Sequence, residues 1–166
     1  MRRRDFLREP IRHLDLDRIE SIGELVESFR YTSFQSRNLA RCLDVYRNML
    51  ESRRRVTVFL GLSGAMTPGG MRKIIRDMIE QNLVDVIVST GANLYHDLAE
   101  AFGSVHFLGS PLADDLELKK LDIDRIYDTF ADEKKFKALG SFFAEFLDSL
   151  EPRAYSSREF LELLGR

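Results

Sequence analysis

Apolar residues recur every three or four positions in six stretches of the chain, and this spacing is typical of amphipathic helices. A break at residues 31–33 separates the first two predicted helices, and Ser156 with Glu159 has the spacing of a capping box before the last one. The six apolar stripes are Ile19, Ile22, Leu25, Val26 and Phe29; Leu39, Cys42, Leu43, Tyr46, Met49 and Leu50; Met71, Ile74, Ile75, Met78 and Ile79; Leu94, Leu98, Ala101 and Phe102; Phe142, Phe143, Phe146, Leu147 and Leu150; and Phe160, Leu161, Leu163 and Leu164.

The centre of the chain has a different pattern, with continuous apolar runs at residues 56–62 and 84–88. The first run predicts a strand that is covered on both faces, as in a parallel sheet. A glycine-containing turn and then a helix follow each run, which predicts an α/β fold with a Rossmann-like parallel sheet flanked by helices. Residues 105–108 are a candidate third strand, whereas residues 109–136 are polar and only weakly patterned.

Composition narrows the possible partners. The 25 basic and 27 acidic residues give a net charge of −2, so no basic surface indicates a nucleic-acid partner. No apolar run approaches the roughly 20 residues that a membrane-spanning helix needs, so we expect no membrane partner and a cytoplasmic location. Cys42, the single cysteine, lies on an apolar helical stripe and is expected to be a buried, unreactive thiol. No Cys/His cluster has the spacing of a metal site.

Residues 1–14 are charged, contain Pro10 and have no sustained period, so we expect an amino-terminal arm followed by one α/β domain over residues 15–166. In such a domain, ligands bind beyond the carboxyl ends of the strands. The turn at residues 63–70 contains three glycines and leads into a helix whose free amide groups can hold a phosphate. Thr67 is predicted to cap that helix, with Pro68 at its first position. The turn fits neither G-x-G-x-x-G nor the phosphate-binding loop, and a connection that needs glycine only for its dihedral angles remains an alternative.

The second turn, at residues 89–93, leads into Tyr95, His96 and Asp97, which we expect on the first helical turn. Three polar groups at a strand end predict a ligand-binding edge, and a histidine there can donate, accept or transfer a proton. The alternatives are that Asp97 only stabilises the helix start and that His96 is a surface histidine. His13 and His106 have no predicted partners.

Four segments in order resemble the deoxyhypusine synthase family, and the similarity runs from about residue 20 to the end of the chain. Phe34-Gln35-Ser36-Arg37-Asn38-Leu39 resembles the family's F-Q-x-x-N segment, and residues 123–128 resemble its I-x-R-I-[GY]-[ND] element. Residues 59–72 and 83–93, which contain the two turns, resemble the family's NAD-binding segments.

The resemblance implies an NAD-dependent, homotetrameric enzyme with active sites between paired subunits. Such enzymes oxidise spermidine, a polyamine, and pass its aminobutyl group to an enzyme lysine as an imine. The acceptor is then a lysine of the hypusine-containing translation factor, or putrescine in homospermidine-forming relatives. An amino-terminal arm can cover a neighbour's site.

The resemblance also assigns residues. Tyr95 and His96 stand where eukaryotic members carry two glutamates, one for a substrate ammonium and one for the cofactor, and only Asp97 is acidic. Tyr95, His96 and Asp97 are therefore candidate substrate residues, and His96 is also a candidate cofactor residue. The remaining cofactor-binding candidates are Gly64, Ala65, Met66, Thr67, Pro68, Thr90, Gly91 and Ala92.

The family's catalytic lysine lies in a carboxyl-terminal half that these residues do not match, so the isolated chain is expected to be inactive and no catalytic residue is assigned. Three alternatives stay open. The chain can be a paralogue that acts on another amine, a non-catalytic subunit that binds nucleotide or pairs with a partner, or an unrelated nucleotide-binding domain.

Overall fold

The computed structural model describes residues 2–166, which form two compact units, one up to Val58 and one from Phe59 to Arg166. The first unit contains helices α1 (Ile22–Ser28) and α2 (Phe34–Leu50), joined by a short 3-10 turn at Phe29–Tyr31. Both helices match the predicted periodicity, and the interruption falls where expected. Residues 2–14 are almost wholly exposed, with one 3-10 turn at Arg3–Asp5.

Two ion pairs link α2 to the preceding segment, and a capping box fixes the start of α1. The Arg30 guanidinium binds both carboxylate oxygens of Asp44 on α2, with Nη2–Oδ1 at 2.7 Å. Arg47 binds Glu27 across the same contact at 3.1 Å. At the start of α1, the Ser21 side chain accepts a hydrogen bond from the Glu24 amide, and the Glu24 carboxylate bonds back to the Ser21 amide.

The predicted burial of Cys42 is wrong, because this thiol is exposed. Ala40 is the buried residue of α2, and Asp44, four positions later, lies on the same side. Cys42 is two residues beyond Ala40, which turns its side chain about 200° around the helix, since each residue advances about 100°. The apolar stripe on α2 is therefore broader than the face that packs.

The second unit is built on a parallel pair of strands, β1 (Phe59–Leu62) and β2 (Val86–Ser89). Helix α3 (Arg72–Glu80) follows β1 and helix α4 (Gly91–Ala101) follows β2. This order confirms the predicted parallel sheet flanked by helices. The register pairs Phe59 with Val86 and Leu62 with Ser89.

The expectation that the first strand is covered on both faces is wrong. Phe59 is 65% exposed and Val88 61% exposed, and they lie on the same face of the sheet. The opposite face, which carries Leu62 and Ile87, lines a cavity together with residues of α3 and α4. Both helices therefore cover one face, and β1 alternates between exposed and half-buried positions.

The rest of the second unit contains a second sheet and helices α5 (Asp115–Lys120), α6 (Glu133–Ser149) and α7 (Ser157–Leu164). The sheet consists of β3 (Phe107–Leu108), which lies within the candidate third strand, and of β4 (Ile123–Ile126) and β5 (Thr129–Asp132), which lie in the polar, weakly patterned region. It is antiparallel with the order β3–β5–β4, and helix α5 precedes its hairpin. The central elements of the core are α4, β5 and α6, which contribute Ala99, Ala131 and Phe136.

Side-chain caps fix where the later helices begin. The Asp132 carboxylate accepts the amide of Lys134 at the start of α6, and Ser156 accepts the amide of Glu159 at the start of α7. The expected capping box at α7 is only half formed, because the Glu159 carboxylate binds Arg153 instead of the Ser156 amide. Over residues 2–166, no helix combines the length and the apolar character needed to cross a bilayer.

Candidate functional site

The two strand-end turns meet at one edge of the parallel sheet. Because β1 and β2 run in the same direction and pair in register, both turns leave the sheet on the same side. The Thr90 amide donates to the Leu62 carbonyl at 3.1 Å, and Thr90 Oγ1 donates to the Gly64 carbonyl at 2.9 Å. The sequence-predicted turns are thus joined directly by hydrogen bonds.

Asn93 links the turns through its side chain, although it was not among the predicted site residues. Its Oδ1 accepts the amides of Met66 at 2.6 Å and of Thr67 at 3.3 Å, and its Nδ2 donates to Thr90 Oγ1 at 3.2 Å. Asn93 is only 3% exposed. A polar side chain two residues after the strand-end Gly91 was the available signal. The Met66 and Thr67 amides therefore point at Asn93 and are not free to bind a phosphate.

The predicted role of Thr67 as a helix cap is wrong. Thr67 is 4% exposed, and its hydroxyl donates to the Asn93 carbonyl at 3.3 Å. Met66 occupies the cap position before a π-helical turn at Thr67–Met71, and Pro68 is buried within that turn. Of the predicted first-turn residues, Gly64, Ala65 and Met66 retain solvent access. Gly64 has a φ of +63°, a conformation that glycine adopts without strain.

The second strand-end turn leaves the backbone at the start of α4 exposed. This helix begins at Gly91, so Gly91 and Ala92 lie on its first turn and are exposed. The Thr90 side chain does not cap α4, because it is bonded to Gly64. The first amides of a helix have no intrahelical acceptor, and a Cβ added at Gly91 would meet no atom within 4 Å. The geometry leaves donors and space for an anionic group.

The three polar residues that follow contact different elements of the second unit. They lie on the second turn of α4 rather than the first, since the helix begins at Gly91. Asp97 binds Arg72 of α3, with Oδ1–Nε at 2.6 Å. The Tyr95 hydroxyl donates to the Phe136 carbonyl of α6 at 2.9 Å, and the two rings stack at 5.4 Å. Asp97 thus contacts α3, whereas Tyr95 contacts α6.

His96 belongs to a chain of three titratable side chains that sequence reasoning did not connect. His96 Nδ1 lies 3.0 Å from His106 Nε2, and His106 Nδ1 lies 2.7 Å from Glu100 Oε1. The His106 side chain is 7% exposed. Burial, and then the neighbouring His106, lower the pKa of His96, so its neutral form is favoured. Glu100 is four residues after His96 on α4, but only the fold brings in His106.

A cavity of about 560 Å³ lies beside His96 and is lined by residues of α4, the β4–β5 hairpin and α6. Its walls include Tyr95 and Phe136 as well as the carboxyl groups of Asp124 and Glu133. A hydrogen bond to Glu133, together with burial, raises the pKa of Asp124 to about 6. Hydrogen bonds from Asp124 and then Lys137 lower the pKa of Glu133, so the shared proton resides on Asp124.

Sequence comparison matches residues 24–166 to the family model described as deoxyhypusine synthase. The chain is 47% identical over 146 residues to probable deoxyhypusine synthase 2 of Methanosarcina acetivorans, covering 88% of this chain and 42% of that protein. It is 41% identical over 167 residues to a deoxyhypusine synthase-like protein of Chlorobaculum parvum, covering all of this chain and 47% of that protein. The chain thus spans slightly less than half the length of these relatives.

Structure comparison agrees on the fold. The chain is similar to the crystal structure of a candidate deoxyhypusine synthase from Entamoeba histolytica, with a TM-score of 0.58 and 23% identity. That similarity covers 93% of this chain and 54% of the other. Because the family model matches most of the sequence, and because the matched region includes both strand-end turns, the chain belongs to the deoxyhypusine synthase family.

Proposed function

We propose that this chain provides the dinucleotide-binding part of an NAD-dependent aminobutyl transferase that acts on spermidine. The acceptor in this proposal is a lysine of the hypusine-containing translation factor precursor. The proposal includes a cytoplasmic, homotetrameric assembly, and its imine-forming lysine lies in the part of the family's length outside these 166 residues. The observation that carries it is the hydrogen-bonded contact between the two strand-end turns.

The residues present fit a dinucleotide. The uncapped first turn of α4 at Gly91 and Ala92 can donate amides to a pyrophosphate, and its helix dipole favours an anion. Exposed Gly64 and Met66 and half-buried Ala65 form the rim of the first turn, while buried Thr67, Pro68 and Asn93 hold that rim in place. Bound NAD would supply a hydride acceptor. The role of this chain is to orient it and to hold the first turn close to the second.

The polar side chains that follow the second strand-end turn are already paired. The acidic side chain at the second turn, Asp97, is paired with Arg72, and Tyr95 is bonded to the Phe136 carbonyl. A polyamine ammonium prefers carboxylates, and this edge offers no unpaired one among the described residues. This observation favours a second candidate function, a paralogue that acts on another amine, such as a homospermidine-forming relative.

Thermal unfolding in the presence of NAD tests the cofactor assignment. A ligand that binds only the folded state stabilises it by about 2.7 kcal/mol at a concentration 100 times its Kd, so Tm should rise with NAD concentration. We expect Gly91→Leu to abolish that rise, because its side chain occupies the space beside the free amides. The variant should fold, since a Cβ at this position meets no atom within 4 Å and leucine is a good helix former.

Gly23→Ala in α1 is the matched control, because its Cβ makes only an ordinary contact of 3.8 Å with Ser21 Oγ. This variant should keep the full NAD response. A wild-type Tm that stays constant up to millimolar NAD would contradict the proposal. An equal response from Gly91→Leu would place NAD elsewhere on the chain.

A further inference from the structure

The side chain of His106 fastens the segment between α4 and β3 to α4. His106 directly precedes β3; its Nε2 lies 3.0 Å from His96 Nδ1, and its Nδ1 lies 2.7 Å from Glu100 Oε1. His96 and Glu100 are one turn apart on α4, and the His106 side chain is 7% exposed. Both rings also pack on the core residue Phe136, with ring centroids 5.3 Å and 6.4 Å away. We call this arrangement of His96, His106 and Glu100 the histidine latch.

Only one proton can lie between the two facing nitrogens of the latch. The Glu100 carboxylate accepts, so neutral His106 carries its proton on Nδ1 and presents a lone pair on Nε2, to which His96 Nδ1 donates. One added proton leaves this hydrogen bond intact, because one facing nitrogen keeps a lone pair. A second added proton gives both nitrogens an N–H group. The hydrogen bond is then lost, and two positive charges lie in contact beside the apolar Phe136 ring.

We propose that the histidine latch is an acid-sensitive switch, which opens when both rings are protonated and releases the segment at residues 103–106 from α4. Two N–H groups that face each other have no acceptor, so the His106 ring must leave its buried position and bind water. Its departure exposes Phe136, which packs in the core with Ala99 and Ala131. The switch needs neither the dinucleotide nor the amine of the proposed function.

The charges on α3 and α4 influence the pH at which the latch opens. The Glu100 carboxylate stabilises the first added proton through the His106 Nδ1–H group, and Arg72 of α3 lies 3.6 Å from the other Glu100 oxygen. The hydroxyl of Tyr95 donates to a carbonyl of α6 and not to the rings. Burial, and then the neighbouring His106, lower the pKa of His96 below its ordinary value of 6.5. The latch is therefore closed above pH 6.5 and opens as the pH falls through the pKa of His96 in the folded chain.

The remaining charged groups that line the cavity beside His96 belong to β4 and α6. Asp124 of β4 shares its proton with Glu133 of α6, and the Arg125 guanidinium forms two hydrogen bonds with a carboxylate of α5. From α6, Lys137 pairs with Glu133 at 3.3 Å, and the Lys135 ammonium donates to a backbone carbonyl of the segment at 3.0 Å. Over residues 2–166, the carboxylate that is bonded to the rings is the one on α4.

Hydrogen exchange of individual backbone amides tests the switch, when each rate is divided by the intrinsic rate at the same pH. The Ser104 amide donates to the Ala99 carbonyl of α4 at 2.9 Å. Between about pH 7.5 and about pH 5, we expect the protection of this amide and of the β3 amides to fall, by up to about tenfold for each pH unit below the pKa of His96. The Thr67 amide, which donates to Asn93, should keep its protection over the same range.

Three variants separate the latch from other effects of acid. In His96→Asn the side-chain amide can replace Nδ1 as a donor to His106 but cannot be protonated, so the protection of Ser104 should no longer depend on pH. Glu100→Gln keeps an acceptor for His106 but removes the charge that stabilises the first proton, so the latch should open at a higher pH than in the wild type. His13→Asn, a change at an exposed residue of the amino-terminal arm, should match the wild type.

Nitrogen NMR of the imidazole rings in the wild type gives a second test that requires no variant. Both rings of the latch should be fully protonated at the pH at which Ser104 loses its protection. Opening while one ring is still neutral would overturn the proposal, as would a protection of Ser104 that stays constant down to about pH 5. A His96→Asn variant that opens like the wild type would also overturn it, because another group would then sense the acid.

Discussion

Thr67 and Asn93 form a reciprocal pair across the two strand-end turns. The Thr67 amide donates to Asn93 Oδ1 and the Thr67 hydroxyl donates to the Asn93 carbonyl, both at 3.3 Å. Since both residues are buried, water cannot replace these bonds. The pair therefore fixes the distance between the turns before any ligand binds, and it explains why Thr67 is not available as a helix cap.

Asn93→Ala should destabilise the second unit. The change leaves the amides of Met66 and Thr67 without their acceptor; Thr67 is buried, and an unsatisfied buried amide costs about 1–3 kcal/mol. We expect the free energy of unfolding to fall by about 1–3 kcal/mol, measured by urea denaturation. Asn93→Asp should lower the free energy of unfolding by less, because it keeps the acceptor oxygen.

Asn48→Ala is the control for that change, since Asn48 is an exposed residue of α2. It should alter the free energy of unfolding by only a few tenths of a kcal/mol, because surface substitutions are usually within about 0.5 kcal/mol. Equal losses from the two variants would show that Asn93 does not hold the turns together.

The Asp124–Glu133 pair should make stability fall as the pH rises through the acid range. The pKa of Asp124 is raised from 3.8 to about 6 in the folded chain, whereas the pKa of Glu133 is lowered from 4.5, so between 4.5 and about 6 the folded state binds more protons than the unfolded state. The free energy of unfolding then decreases with rising pH across that window. Asp124→Asn should unfold at a higher Tm than the wild type above pH 6, and at an equal or lower Tm below pH 3.8.

Scanning calorimetry at a series of pH values measures this crossover. Asp128→Asn, a change at an exposed residue of the same hairpin, should show the same dependence of Tm on pH as the wild type. A constant difference in Tm between Asp124→Asn and the wild type at every pH would exclude a shared proton.

The Asp44–Arg30 ion pair should give the first unit the opposite pH dependence. The Arg30 hydrogen bond lowers the pKa of Asp44 below 3.8, so the unfolded state binds more protons than the folded state as the pH falls below that value. The stabilisation is complete above pH 3.8 and is lost on acidification through the folded pKa. Asp44→Asn should lower the helical signal in circular dichroism melts at neutral pH and converge with the wild type in strong acid. Asp17→Asn, a change at an exposed residue, should leave the helical signal equal to that of the wild type at every pH.

Cys42 should react with a thiol reagent in the native protein. The side chain is exposed on α2, so one equivalent should be labelled without denaturant at a rate close to that of the unfolded chain. Cys42→Ser should abolish the reaction. Labelling that requires urea would show that Cys42 is buried, as the apolar stripe indicated.

Local patterns predicted several elements correctly, because their signals are short-range. The turns after β1 and β2 follow from glycine and polar residues after apolar strands, and Ser156 caps α7 as its spacing indicated. The hairpin of β4 and β5 was missed, since its four-residue strands are too short for a clear alternation and the turn between them uses Tyr127 at a φ of +57°. No sequence rule assigns tyrosine to that conformation.

In the candidate site, too, local patterns predicted the position of the turns, whereas tertiary contacts decided which polar groups are free. Apolar runs followed by glycine-containing turns located both strand-end turns in the sequence. The amides of Met66 and Thr67, however, donate to Asn93, and Asp97 pairs with Arg72. His96 and His106 are separated by ten positions and become neighbours only when the segment that precedes β3 folds back beside α4. Which polar group is free for a ligand depends on the partners that the other groups find, and those partners come from distant parts of the chain.

The sequence by itself determined the order of β1, α3, β2 and α4, because hydrophobic periodicity and the positions of glycines determine secondary structure over a few residues. It also determined the family, through motifs that survive in order along the chain. Tertiary structure decided which face of the sheet is covered, which side of α2 presents Cys42, and how Glu100, His106 and His96 align. Those outcomes depend on contacts between residues far apart in sequence, and a local pattern carries no information about them.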